Sequence, residues 1–381
     1  MKCKLEDICS YRKGKTDVSE LTEETYISTE NMLPNKAGIV NASNFPTVAL
    51  TQAYEEGDVL VSNIRPYFKK IWKAKFAGGC SNDVLVFTAN ENIDRDFLYY
   101  VLADDAFFTY AMATSKGTKM PRGDKTSIME YEVPCYDKET QQRIASILKS
   151  FDDKIELNNR INNNLQQQAR ALYKSWFVDF EPFNGQVPNS WEVGKLKDVL
   201  RLRKDSIKAG ENTELPYLPI DTIPMNTFAL SDSRPNEEAQ SSLLAFNRDD
   251  IIIGAMRVYF HRVIIAPFDG ITRTTCFVLT PYNPEYLAFG LLCCDQDKSI
   301  DFAQQSSKGS TMPYAVWDGG LGELELPIPP KDVAEQFNDL VMPMLRIIQK
   351  SYYETRALQQ TRDSLLPKLM SGEIDVSDVK I

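Results

Sequence analysis

The sequence predicts an α+β protein built from two copies of a mixed α/β module, each copy followed by one long helix. Three observations predict it. Short motifs recur in the same order at a nearly constant offset. Within each copy, runs of β-branched and aromatic residues precede a helical stretch. After each copy, the apolar spacing changes to that of a heptad.

The repeat is read directly. KLEDICSYRK (Lys4 to Lys13) returns as KLKDVLRLRK (Lys195 to Lys204), and Tyr26 in YISTEN returns as Tyr217 in YLPIDT. GDVLVSNIRPYFKK (Gly57 to Lys70) parallels DDIIIGAMRVYFHR (Asp249 to Arg262), and FAGGCSNDVLVF (Phe76 to Phe87) parallels FDGITRTTCFVL (Phe268 to Leu279). SKGTKMP (Ser115 to Pro121) returns as SKGSTMP (Ser307 to Pro313). Shared order and offsets of 191 or 192 exclude chance, so the chain is a duplication.

The elements follow in order. VLVSN, VLVF, IIIGA, VIIA and CFVL read as short strands. Helices are expected around Phe97 to Ala113 and Tyr286 to Gln305, with Gly117 and Gly309 placed to end them in the left-handed conformation. From Asp137 the chain gives Ile144, Leu148, Phe151, Ile155, Asn158, Asn162, Leu165, Ala169, Leu172 and Trp176 at alternating steps of four and three. From Asp332, Val333, Phe337, Leu340, Met344, Ile347, Leu358 and Leu365 keep the same phase, with Ser351, Glu354 and Thr361 between them. Asp332 and Glu335 suggest a capping box, and Pro343 predicts a kink or break. Polar residues in such seams fix register or partner, so the two helices are expected to pack on each other. The expected domains are 1–136, a long helix 137–180, 181–328, and a second long helix with tail 329–381.

Chemistry is suggested by two kinds of segment. No acid lies between Val59 and Asn82, a stretch holding Arg65, Lys69, Lys70, Lys73 and Lys75 among Tyr67, Phe68, Trp72 and Phe76. The second copy has no acid from Ile251 to Phe268 and holds Arg257, His261 and Arg262 with Tyr259 and Phe260. The loop after each helix adds Lys116, Lys119, Arg122 and Lys125, or Lys308, Ser310, Thr311 and Tyr314. Cations with hydroxyls and a glycine backbone suit phosphate and base-edge contacts. The same segments also suit a solvated strand pair and a helix end. The pattern favours DNA because it recurs at matching positions in a chain of formal net charge -10.

Catalysis is disfavoured. There is no methyltransferase cofactor loop, and GTKMPRGDKT (Gly117 to Thr126) departs from a phosphate-binding loop at Asp124. TPYNPEY (Thr280 to Tyr286) is only a loose likeness to a methyltransferase tetrad. His261 is the sole histidine, which disfavours histidine metal sites and Ser-His-Asp chemistry. Seven cysteines without a CxxC pair, and no apolar span or signal core, fit reduced thiols in a cytoplasm. No cofactor is expected. A purely structural adaptor, two heads on a coiled coil bridging proteins, is the alternative reading.

QQRIASILKSFDDKIELNNRINNNLQQQARALYKSWFVDFEPF (Gln141 to Phe183) and TRDSLLPKLMSGEI (Thr361 to Ile374) resemble the central and distal conserved regions of type I restriction-modification specificity (S) subunits. GDVLVSN and WEVGKLKDV (Trp191 to Val199) are similar to the starts of their recognition domains. The resemblance implies two target-recognition domains joined by two long antiparallel helices about a pseudo-two-fold. Each domain would read one half of a split, asymmetric double-stranded DNA site. The helices would hold two modification (methyltransferase) subunits, and restriction/translocase subunits would join that core. S-adenosylmethionine and ATP would be used by those partners.

Overall fold

The computed structural model describes residues 2–212, 214–240 and 242–379. The chain divides into two compact units, one made of residues 1–153 with 359–381 and the other of residues 154–358.

In the first unit, VLVS and VLVFTA form the middle of a four-stranded antiparallel sheet ordered Cys9–Tyr11, Val84–Ala89, Val59–Ser62, Ile71–Lys73. Its central strands are apolar on both faces because both faces are covered. Val59, Val61, Leu85 and Phe87 point into one core with the helices, while Leu60, Val84 and Val86 point into a second core. A second four-stranded sheet follows the order Lys15–Asp17, Leu50–Tyr54, Gly78–Cys80, Tyr26–Ile27, its last pair parallel. A short antiparallel pair, Lys2–Lys4 with Glu132–Pro134, ties the start of the module to its end.

The second unit repeats this topology strand for strand. One sheet runs Leu200–Leu202, Cys276–Pro281, Ile251–Gly254, Val263–Ile265. The other runs Ser206–Ile207, Leu243–Phe246, Gly270–Arg273, Tyr217–Leu218, again with a parallel last pair. Glu192–Lys195 pairs with Glu325–Ile328 as the closing ribbon. The duplication read from the sequence is thus a duplication of fold.

The single helix expected in each copy is two. Arg95–Ala103 is followed by Asp105–Ala113, and Leu287–Cys294 by Asp297–Gln305. Asp104 causes the first break, since its side chain accepts the Ala106 N–H at 3.0 Å and starts a new helix. Gly117 and Gly309 do have positive φ, 94° and 89°, but they lie beyond the helix ends and turn the following loops instead.

The two long helices are Lys138–Phe177 and Lys331–Ser371. Asp137 caps the first by accepting the Thr140 N–H at 2.8 Å. The second begins at Lys331, so Asp332 lies in its first turn and not at its cap. It also runs unbroken through Pro343, contrary to the expected kink or break. Pro343 and Asp339, whose carbonyl loses its donor there, are both exposed residues.

Within each unit the helices pack antiparallel. In the first, Ile144 and Leu148 join Leu366 and Leu369 in the core, and Arg362 pairs with Asp152, which also accepts the Tyr100 hydroxyl at 2.7 Å. In the second, Asn158 donates to Thr355 at 3.3 Å and Asn162 to Ser351 at 2.7 Å, both pairs buried. Phe151 and Ile155 are half-buried, as the heptad requires. Past Asn162 the buried stripe slips by one residue, to Gln166, Ala169, Tyr173 and Phe177, leaving Leu165, Leu172 and Trp176 half-buried. In the second helix the buried stripe is Ala334, Phe337, Val341, Leu345 and Ile348. Leu340 and Ile347 are 49% and 48% exposed, which corrects their seam assignment; Leu358 and Leu365 are half-buried. The seam position near Ser351 is Thr355, not Glu354, which is exposed and pairs with Lys154.

Candidate nucleic-acid interface

Each module carries one tight turn that its backbone does not adopt freely. In the first it is the 3-10 turn Pro66–Phe68, flanked by Arg65 at φ 51° and Lys69 at φ 50°. In the second it is Val258–Phe260, flanked by Arg257 at φ 51° and His261 at φ 49°. A left-handed conformation at four non-glycine residues is unfavourable, so packing around the turns must hold them. The geometry lifts two rings to the surface. Tyr67 and Phe68 are 49% and 37% exposed, with centroids 4.7 Å apart; Tyr259 is 45% exposed, 4.9 Å from Phe260.

The lysine-glycine loop lies against this turn in both copies. The Arg65 N–H donates to the Pro121 carbonyl at 2.8 Å, and the Arg257 N–H donates to Pro313 at 2.8 Å. Lys116 pairs through its backbone with Arg122 on either side of Gly117, and Lys308 with Tyr314 on either side of Gly309. Met120 and Met312 are exposed at the loop tips. Candidate residues that are far apart in sequence are therefore neighbours, twice over.

The side chains divide by what already holds them. Lys69 binds Asp105 at 2.7 Å, a carboxylate it shares with Lys36 at 2.8 Å. Lys70 donates to the Thr29 carbonyl at 2.6 Å, lies 5.7 Å from the Phe68 ring, and has its pKa lowered by burial. Arg262 donates to the carbonyls of Ile220 and Ile223, stacks 5.6 Å from Phe260, and is likewise lowered by burial. His261 Nε2 is 2.9 Å from the Asp295 carbonyl and 3.1 Å from its carboxylate, which also takes a two-point contact from Arg170. These four brace the turns through contacts within the module.

The other group faces outward. Arg257, Lys119, Lys125, Lys308, Ser310 and Thr311 are exposed, as is Tyr314 at 47%. Lys116 is exposed and pairs with Asp124, which it draws down to a pKa of about 2. Arg122 is anchored at 3.1 Å by Asp83. Arg65 is half-buried, and its Nε lacks a hydrogen-bond partner among the described residues. Sequence reasoning missed Asp83, Asp105 and Asp295. Asp105 had a signal, since Asp297 stands 192 residues later beside His261, 3.5 Å from Nδ1.

Comparison with known proteins decides the family. The family described as the type I restriction modification DNA specificity domain matches residues 1–167. The HindI specificity subunit of Haemophilus influenzae, a type I restriction enzyme component, is 30% identical over 97% of this chain and 98% of its own. The chain belongs to the type I specificity-subunit family. The MjaIX specificity subunit of Methanocaldococcus jannaschii is 27% identical over 76% of this chain and 71% of its own length. An S subunit crystal structure from M. genitalium shares the fold, with a TM-score of 0.62 at 17% identity, covering 97% of this chain and 96% of that one. A specificity subunit is not itself catalytic; catalysis lies in other subunits of the complex. Among the described residues, no helix of this specificity subunit is long and apolar enough to cross a membrane.

Proposed function

We propose that each module of this specificity subunit reads one half of a bipartite, asymmetric double-stranded DNA site through its strained turn and lysine-glycine loop. One observation carries the proposal. The same surface of exposed rings, outward cations and loop hydroxyls is built at the same place in both modules. Aromatic faces and exposed cations are suited to bases and phosphates, and two different loops to two different half-sites. The overall charge of -10 is no obstacle, because the local surface decides.

In the same proposal the long helices hold two modification (methyltransferase) subunits, through which restriction/translocase subunits join. Leu157, Ile161, Leu340 and Ile347 support it: four large apolar side chains exposed on helices whose other faces are buried. S-adenosylmethionine and ATP are then the partners' ligands, and the subunit works in the cytoplasm.

The test is a gel shift of the full chain, with its partner methyltransferase, on a random-sequence duplex pool. The proposal expects retention that selects a split motif and weakens steeply with salt. A complex that assembles yet retains no DNA would leave the adaptor reading standing.

A further inference from the structure

The duplication places two different sets of side chains on one backbone arrangement. In the first module the Asn63 N–H donates to Asp83 at 2.8 Å and the Gly123 N–H to Asn63 at 3.2 Å. In the second, Ala255 donates to Thr275 at 2.9 Å and Ala315 to Ala255 at 2.8 Å. Each residue of one set stands 192 positions from its counterpart. The chain therefore provides its own alignment of the two surfaces, through matching main-chain hydrogen bonds.

On that alignment some positions agree and some do not. Arg65 and Arg257, Tyr67 and Tyr259, Phe68 and Phe260, Lys116 and Lys308 are the same residues. Four neighbouring positions all differ: Asn63 is replaced by Ala255, Asp83 by Thr275, Arg122 by Tyr314, and Gly123 by Ala315. The changes are physically linked. Asp83 forms an ion pair with Arg122 Nη2 at 3.1 Å, and where the arginine becomes tyrosine the carboxylate is gone. Thr275 Oγ1 is left buried without a partner among the described residues. A charge pair has been exchanged as a unit, at the rim of a loop that keeps its glycine, methionine and proline while Thr118 and Lys119 become Ser310 and Thr311.

A contact to phosphate or a stacking platform serves any sequence and has no reason to differ between half-sites. A base-reading contact must differ when the half-sites differ. Arg122 is an exposed guanidinium paired with Asp83 through Nη2, and its other nitrogens are further donors. Such a fork matches guanine O6 and N7. Tyr314 offers a ring and one hydroxyl at the same backbone position.

Resting on the DNA reading above, we infer that Arg122, braced by Asp83, and Tyr314 are the specificity-determining residues of the two modules. Arg122 selects a guanine in one half-site, and Tyr314 selects a base other than guanine at the equivalent place in the other.

The experiment uses the full chain, assembled with its partner methyltransferase, to select from a random-sequence duplex pool. Arg122→Gln is expected to lower the preference for guanine at one position of one half-site by roughly ten- to a hundred-fold, with the other half unchanged. Asp83→Thr with Arg122→Tyr is expected to give that half the base preference of the other module's equivalent position. Thr275→Asp with Tyr314→Arg is expected to create a guanine preference in the second half. Arg122 is exposed, so Arg122→Gln folds even where a double exchange does not. Parent and Arg122→Gln complexes selecting the same motif overturn the inference and leave the DNA reading intact. A parent complex that selects no DNA removes that reading itself.

Discussion

Arg257 stores strain in the free protein, at φ 51° with an exposed side chain. Glycine adopts that conformation without a Cβ clash but loses more entropy on folding, so Arg257→Gly is expected to stabilise the chain by about 0.5–1 kcal/mol. The same change should weaken DNA binding by the assembled complex, a combination that thermal melting and gel shifts would reveal. A variant that loses stability and keeps its affinity would mean the turn serves the fold. Charge reversal at Lys119 or Lys308 should weaken binding to all sequences and flatten its salt dependence, because both amines face solvent. Reversal at Lys69 would instead break the Asp105 pair and perturb the turn. His261 adds a pH dependence. The Asp295 hydrogen bond raises its pKa above the ordinary 6.5, against the opposing effect of burial. Its stabilisation is therefore complete below about pH 6.5 and is lost as pH rises through the folded value. Arg170, Asp295 and Asp297 are the charged groups around the ring. The urea midpoint of the wild type should fall relative to His261→Gln as pH rises above about 6.5; parallel curves would exclude the linkage. The sequence located these residues but not their partners. Asp105 lies 36 residues from Lys69 and the Thr29 carbonyl 41 from Lys70. A basic run cannot disclose which amines the fold itself consumes.

The long helices show the same limit one level up. Their existence and extent were legible because 40-residue patterns are strongly periodic. Their buried face was legible only up to Asn162 in the first helix. The heptad of 3.5 residues per turn describes a two-helix seam, whereas a straight helix drifts toward 3.6. Beyond Asn162 the first helix packs against the module as well as the second helix, with Gln166 accepting the Phe228 N–H at 2.6 Å and Tyr173 and Phe177 lying between Phe289 of the module and Phe337 of the second helix. The second helix departs from the heptad as well: it buries Val341, Leu345 and Ile348 and leaves Leu340 and Ile347 exposed. The polar pair in the seam has its own consequence. Asn162 Oδ1 is buried without a partner among the described residues, while Ser351 can also donate to the Ile348 carbonyl at 2.8 Å. Replacing Asn162 by Leu together with Ser351→Ala removes an unsatisfied acceptor worth about 1–3 kcal/mol. The double variant is expected to be more resistant to urea than the parent. A lower midpoint would show that the pair supplies net stability and not only register.

At the scale of the whole molecule the duplication was the most legible feature, since a repeat is a property of order and needs no contact to be seen. On the DNA reading proposed above, two modules of one topology are expected to be separable readers. Exchanging residues 1–136 for the matching part of a relative should alter one half of the DNA site and spare the other, as read from methylated sites. On the same proposal the helices are expected to govern the gap between the halves. Both pass from one compact unit to the other, between Asp153 and Lys154 and between Leu358 and Gln359. An insertion at Tyr173 to Phe177 would split a core, because both rings are buried there. Four residues added to each helix at the unit boundary lengthen it by about 6 Å, or roughly two base pairs at about 3.4 Å each. They also rotate one end by about 40°, four steps of about 100° less a full turn. DNA turns roughly 34° per pair, which favours one. The spacer should grow by one or two base pairs with both half-site sequences unchanged. Methylation mapping of the paired insertion decides it: an unchanged spacer in an active complex would mean that something other than these helices sets the distance.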